Sequence, residues 1–162
     1  MKRLILIRHA KSDWGTPGLT DHDRPLNNRG IRSAKAIGDW LRKQSYNPDQ
    51  AISSSAQRTQ DTWEYLAFKA PVQFTRMLYH ADRDQMLKAL RQATEYCVLM
   101  LGHNPGVAEF AESLVSDPPN DDRFFTYPTC ATLIADFDIA SWSDVSWGKA
   151  IAQDFVGPRD LL

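Results

Sequence analysis

Two segments of the chain, 4–7 (LILI) and 96–101 (YCVLML), are almost entirely apolar and show no alternation between apolar and polar positions. Short runs of this kind are typical of strands that are buried on both faces, as in a parallel sheet. Shorter or weaker strand patterns lie at 50–52, 72–74, 131–137 and 150–155. No clear helical pattern separates the last two, which predicts that they form an antiparallel pair.

Apolar residues recur at helical spacing between these strands, in segments 31–41, 56–66, 86–90 and 107–115. Asn27 or Asn28 suits the N-cap of the first helix, and Asp82 or Asp84 suits that of the third. Segments 11–30 and 116–128 are rich in Gly, Pro or Asp and predict loops. The order of elements predicts an α/β domain, a three-layer sandwich with a mostly parallel central sheet.

The length of 162 residues favours a single domain, 1–162. The formal net charge of −1 predicts that the overall field recruits neither nucleic acid nor an anionic membrane, so any anion site must be local. The two cysteines form no disulfide framework or paired metal motif. Since the apolar run after Lys2 and Arg3 is too short for a signal peptide, we expect a cytoplasmic protein.

Cationic or imidazole side chains follow three of the predicted strands. Arg8 and His9 come after the first, Arg58 follows the second, and His103 follows the strand at 96–101. Because carboxyl ends of parallel strands share one edge of a sheet, we expect these side chains to converge. Arg58 also falls in the first turn of a helix, where the helix dipole favours acidic residues, and an anionic ligand would explain a cation there.

Two interpretations of the histidines follow. They could bind a metal, but no carboxylate or cysteine is spaced to complete a ligand set, and neighbouring arginines repel cations. Alternatively, one is a nucleophile and the other donates a hydrogen bond to a phosphate held by the forked arginine side chains. Nearby arginines disfavour the imidazolium form of His9, which keeps a nitrogen free to attack. The pattern therefore favours phosphoryl transfer without metal or cofactor.

Four segments in this order, LILIRHAKSDW, DHDRPLNNRG, SSSAQRTQDT and LGHNP, resemble the histidine phosphatase superfamily. Within it the chain is most similar to the short branch of SixA-type phosphohistidine phosphatases, over nearly its whole length. The resemblance implies a hydrolase with a phosphoglycerate mutase-like fold. It also implies that His9 is the nucleophile that becomes phosphorylated, and that Arg8, Arg58 and His103 form the phosphate pocket.

The resemblance also extends to other positions. Ser12 matches the serine of the mutase-like pattern. Arg24 matches an arginine of the short branch that either borders the pocket or has a structural role in the loop, and Asn104 follows His103 and could offer its backbone N–H. All three are taken as candidate substrate-binding residues. Gly15 stands where the mutase-like pattern has Asn, so that contact to phosphate is missing. No clear Glu stands where mutases keep their proton donor, and in that region we take Asp82 as the candidate.

The absence of a clear proton donor indicates which kind of substrate the enzyme cleaves. Expelling an alkoxide requires a proton donor, whereas expelling a neutral imidazole from phosphohistidine needs far less help. We therefore expect a metal-independent phosphatase that hydrolyses protein phosphohistidine. The alternatives are a small-molecule phosphomonoesterase or mutase-like enzyme acting on a phosphorylated metabolite, or a phosphoprotein-binding module without turnover. No nucleic acid or membrane partner is expected, and the oligomeric state stays open.

Overall fold

The computed structural model describes residues 1–162 and contains one six-stranded sheet with the strand order β3-β2-β4-β1-β5-β6. The strands are β1 (Lys2–Arg8), β2 (Gln50–Ser54), β3 (Val72–Thr75), β4 (Cys97–Gly102), β5 (Thr132–Phe137) and β6 (Ile151–Val156). The first four run parallel, while β5 is antiparallel to both β1 and β6. The predicted α/β class, the mostly parallel sheet and the late antiparallel pair are confirmed.

Helices cover both faces of the sheet: α1 (Asn28–Lys43), α2 (Gln57–Leu66), α3 (Arg83–Leu90), α4 (Gly106–Leu114) and α5 (Arg123–Thr126). Apolar residues of α1 and α2 pack in one core layer, and those of α3, α4 and α5 pack in the other. The four-residue helix α5 lies where the sequence predicts only loop, because so short a helix cannot show apolar periodicity. None of these helices has the length and apolar character needed to cross a membrane.

Strand β1 is the centre of both core layers. Leu4 and Leu6 pack into the layer beneath α3 and α4, whereas Ile5 and Ile7 pack into the layer beneath α1 and α2. All four side chains are fully buried. An uninterrupted apolar run is therefore required here, since successive side chains on a strand point to opposite faces and both faces are covered.

One edge of the sheet gathers the ends of several strands. Arg8 at the end of β1 lies opposite Gly102 at the end of β4. Because β5 runs in the other direction, its first residue Thr132 lies opposite Ile7, and Val156 at the end of β6 lies opposite Thr132. The carboxyl ends of β1, β2, β4 and β6 and the amino end of β5 thus meet at one edge.

The long segment after His9 is fixed against α1 and α2. The backbone N–H of Ala10 donates to Thr62 Oγ1 at 3.0 Å. Asn27 is the N-cap of α1 and accepts from the Gly30 N–H at 2.8 Å, as predicted. A Cβ on Gly30 would lie only 2.1 Å from the carbonyl oxygen of Lys11, so only glycine permits this approach of α1.

Candidate active site

A cavity of about 240 Å³ opens at this edge of the sheet. Six of the predicted site residues line it, namely Arg8, His9, Ser12, Arg58, His103 and Asn104, together with Lys11, Trp14, His80 and Thr129. The strand ends therefore converge as the parallel sheet predicts. Two predicted site residues, Arg24 and Asp82, do not line the cavity.

His9 is buried and holds one defined tautomer. Its Nδ1 lies 2.7 Å from the carbonyl oxygen of Ala10. Since a carbonyl can only accept, Nδ1 carries the proton and Nε2 keeps its lone pair. Burial lowers the pKa of His9 to about 4; the charges of Arg8 and Arg58 also lower it, whereas the Ala10 contact opposes the shift. The imidazole is therefore neutral near pH 7, with Nε2 available as a nucleophile.

Two guanidinium groups reach the same cavity. Arg8 Nη1 donates to the carbonyl of Tyr127 at 3.1 Å, while its Nε is buried without a partner in the protein. Burial, together with the charge of Arg58, lowers the pKa of Arg8. Arg58 donates from Nη1 to the carbonyl of Asp21 at 2.7 Å and from Nη2 to its Oδ2 at 3.1 Å. An anion in the cavity would relieve the repulsion between these two cations.

His103 is a neutral neighbour of His9, with ring centroids 5.2 Å apart. Its Nε2 lies 2.8 Å from Ser54 Oγ, which already accepts from the Ala56 N–H at 3.2 Å. The other ring nitrogen of His103, Nδ1, is a buried atom without a partner in the protein. Burial, followed by the effects of His9 and Arg58, lowers the pKa of His103 to about 2.

Asp21 does not line the cavity but contacts two residues that do, Arg58 and His80, and it was not singled out from the sequence. Besides Arg58, it accepts from the Tyr79 hydroxyl and lies 3.3 Å from His80 Nε2. Burial raises the pKa of Asp21, but the hydrogen bonds from Tyr79 and Arg58 outweigh this and hold it at about 2. The carboxylate is therefore ionised and fixes Arg58. These contacts join segments that are far apart in the chain, so no local pattern in the sequence predicts them.

Arg24 belongs to the loop and not to the cavity. Its guanidinium donates to the carbonyls of Thr16 and Leu19 at 3.3 and 3.2 Å. It also lies over the ring of Trp14, with 4.2 Å between the guanidinium carbon and the ring centroid. The assignment of Arg24 as a substrate-binding residue is therefore corrected: its donors hold the loop that carries Trp14.

Asp82 is the N-cap of α3. Its carboxylate accepts from the Gln85 N–H at 2.8 Å in a capping box, and the residue is exposed outside the cavity. The capping role predicted for this residue is confirmed, and its assignment as proton donor is corrected. His80, two residues earlier, lines the cavity instead.

Ser12 and Asn104 line the cavity in different ways. The Ser12 hydroxyl accepts from Trp14 Nε1 at 2.8 Å and keeps its own hydrogen for a ligand. The Asn104 amide donates to the carbonyls of Thr126 and Tyr127 at 2.8 and 3.1 Å, so its side-chain donors are already engaged by the protein.

The family model for the histidine phosphatase superfamily (branch 1) matches residues 4–86, a segment that contains Arg8, His9 and Arg58. The chain belongs to the histidine phosphatase superfamily. An uncharacterized protein of Mycobacterium leprae is 34% identical over 163 residues, which cover 94% of this chain and 100% of the relative. The predicted class of enzyme, a phosphatase, is thereby confirmed.

Solved structures of the superfamily extend the likeness to the whole fold. A protein of Nakamurella multipartitia named as the phosphohistidine phosphatase SixA is 27% identical, with a TM-score of 0.86 over 97% of this chain and 96% of the other. A SixA-named protein of Agrobacterium tumefaciens is 28% identical, with a TM-score of 0.80 over 97% and 98%. The SixA-type branch and the phosphoglycerate mutase-like fold are confirmed.

Proposed function

We propose that this histidine phosphatase hydrolyses phosphohistidine on proteins, without a metal, through a phosphorylated His9. The observation that carries the proposal is the lining of the 240 Å³ cavity: a nucleophilic nitrogen beside two arginines, with no Asp or Glu among the ten lining residues. Such a lining favours a substrate whose leaving group departs without a carboxylic acid.

In the first step, His9 Nε2 attacks phosphorus in line with the bond to the leaving group. The substrate ring carries a proton on its other nitrogen, so when the P–N bond breaks the electron pair stays on the departing nitrogen and the ring leaves as neutral imidazole. Arg8, Arg58 and the N–H of His103 stabilise charge on the equatorial oxygens. The hydrogen bond from Nδ1 to Ala10 stabilises the positive charge that develops on the His9 ring.

In the second step, water attacks the phosphorus of phosphorylated His9. The bond from phosphorus to Nε2 breaks, and its electron pair returns to Nε2. One water proton passes to solvent and the other stays on the inorganic phosphate. The enzyme is then ready for another substrate, because the neutral His9 tautomer is the form that burial favours.

A hydrolysis panel tests the proposal. We expect kcat/KM for a phosphohistidine protein and for free phosphoramidate to exceed that for common phosphate monoesters by about a hundredfold, since general acid catalysis contributes factors of this order. The panel is measured as phosphate release with and without a metal chelator, which should leave the rates unchanged. A preference for monoesters by orders of magnitude, or loss of activity with the chelator, would contradict the proposal.

His80 is the imidazole at the mouth that could supply a proton to a poor leaving group. We expect His80→Asn to lower the residual hydrolysis of monoesters about a hundredfold, because that reaction requires an acid, and to change phosphoramidate hydrolysis less than threefold. Asn is chosen because His80 has a φ of 57°, a conformation that Asn tolerates. Both reactions are followed as phosphate release.

Asp82→Ala is the matched control for His80→Asn. Loss of the α3 cap should cost about 1 kcal/mol of the free energy of unfolding and leave the ratio of the two reactions unchanged. Equal losses of both reactions in His80→Asn, or a change of the ratio in Asp82→Ala, would contradict the assignment of His80.

A further inference from the structure

A second, larger cavity of about 700 Å³ adjoins the phosphate cavity and shares Lys11 and Thr129 with it. It lies between the start of α1, the amino end of β5 and the chain after β6. Its charged lining consists of Lys11, Arg29, Arg32, Arg123 and Arg159, and no Asp or Glu lines it. We call this feature the basic groove.

Four of the five cations in the basic groove have no counter-charge in the protein. Arg123 is paired with Asp121 and Asp160 at 2.7 and 2.9 Å. Lys11, Arg29, Arg32 and Arg159 are exposed and make no salt bridge or side-chain hydrogen bond. In a chain whose net charge is −1, these four positive charges are concentrated beside the phosphate cavity.

The placement of two of these cations is also unfavourable for α1 itself. Arg29 lies in the first turn and Arg32 in the next, and the first turn holds no acidic residue. Cations at this end oppose the helix dipole and repel one another, so they lower stability in the free protein. A bound anionic group would reverse both effects.

We propose that the basic groove binds an acidic segment of the protein that carries the phosphohistidine, and this inference rests on the proposed function. Guanidinium groups suit carboxylates, with which they form paired hydrogen bonds. The groove has about three times the volume of the phosphate cavity, and because the two adjoin, one chain can occupy both. No aromatic side chain lines the groove, so it offers no surface for stacking a nucleic-acid base.

The test uses two phosphohistidine peptides that differ only in the residues flanking the phosphohistidine, which are Glu in one and Gln in the other. At about 150 mM salt, where surface charges act over short range, we expect the wild-type enzyme to prefer the Glu peptide about tenfold in kcat/KM. Arg29→Glu/Arg32→Glu should abolish or invert this preference. Phosphoramidate, which is too small to reach the groove, should be hydrolysed within threefold of the wild-type rate.

Lys35→Glu/Lys43→Glu is the matched control, since both lysines lie on α1 outside the two cavities and the change in charge is the same. It should retain the preference for the Glu peptide. Equal rates on both peptides in the wild type, or equal loss of preference in the control, would overturn the inference.

Binding measurements test the basic groove independently of the chemical step. In the His9→Ala variant, unphosphorylated Glu and Gln peptides are compared by fluorescence anisotropy, and the Glu peptide should bind about tenfold tighter. If no P–N substrate is hydrolysed while this difference persists, the proposed function fails and the acidic-segment site stands. The labelled Glu peptide is also displaced with unlabelled competitors. If a single-stranded oligonucleotide displaces it at a lower concentration than the unlabelled Glu peptide does, the groove binds nucleic acid and the inference fails.

Discussion

Replacing His9 by Ala is expected to abolish turnover of every phosphorylated substrate, with a loss of about ten-thousandfold or more in kcat. The expectation follows from Nε2, the neutral nitrogen that the hydrogen bond to Ala10 leaves free in the cavity. The wild-type enzyme, quenched during turnover of a phosphodonor labelled in its phosphoryl group, should carry acid-labile label on His9. The variant should carry none.

His22→Ala provides a histidine control for this experiment. His22 packs edge-on against Tyr79 and contacts the Ser55 hydroxyl, but it does not line the cavity. Its replacement should leave the acid-labile label in place. Turnover by His9→Ala at rates near those of the wild type, or label that survives in that variant, would exclude the two-step mechanism.

Replacing Arg58 by Ala should lower kcat by about a hundredfold or more, because in the proposed mechanism its guanidinium stabilises charge that develops on the phosphoryl oxygens. The side chain is buried and held by the carbonyl and the carboxylate of Asp21, so its position is fixed before substrate binds. Single-turnover rates of phosphoramidate hydrolysis measure the effect directly. Arg58→Lys should recover only part of it, since an ammonium lacks the forked donors.

Arg42→Ala tests whether the effect of Arg58→Ala arises from a displaced helix. Arg42 donates to the carbonyl of Leu66 at 2.7 Å and so holds the other end of α2, far from the cavity. Its loss should lower the melting temperature and leave the chemical step within threefold of the wild type. A comparable loss of rate in both variants, or a loss of less than tenfold in Arg58→Ala, would contradict a direct role for Arg58.

The convergence of Arg8, His9, Arg58 and His103 could be predicted because it follows from a rule of sheets. Apolar runs identify parallel strands, and residues just after such strands lie at one edge. No contact between specific side chains has to be known. The same reasoning cannot supply geometry, so it gives neither the tautomer of His9 nor the partner of His103.

The corrections concern residues whose partners come from loops. An aspartate such as Asp82 can act either as a helix cap or as a proton donor. Only the position of α3 shows which of these roles the residue has. Arg24 and Asp21 belong to a segment without periodicity, where backbone carbonyls and Tyr79 determine what each side chain contacts. The sequence did not predict the basic groove for a related reason. The net charge is a sum over the whole chain and does not show where charges cluster. Lys11 and Arg159 come to line one cavity only because β5 and β6 pair.

The contact between Gly30 and the carbonyl oxygen of Lys11 has a further consequence for substrates. No side chain separates α1 from the segment after His9, so the backbone of the first turn of that helix is held against this segment. If the basic groove binds as we propose, the preferred phosphohistidine proteins should be those whose carboxylates lie at the matching distance from the phosphoryl group, whatever their total charge.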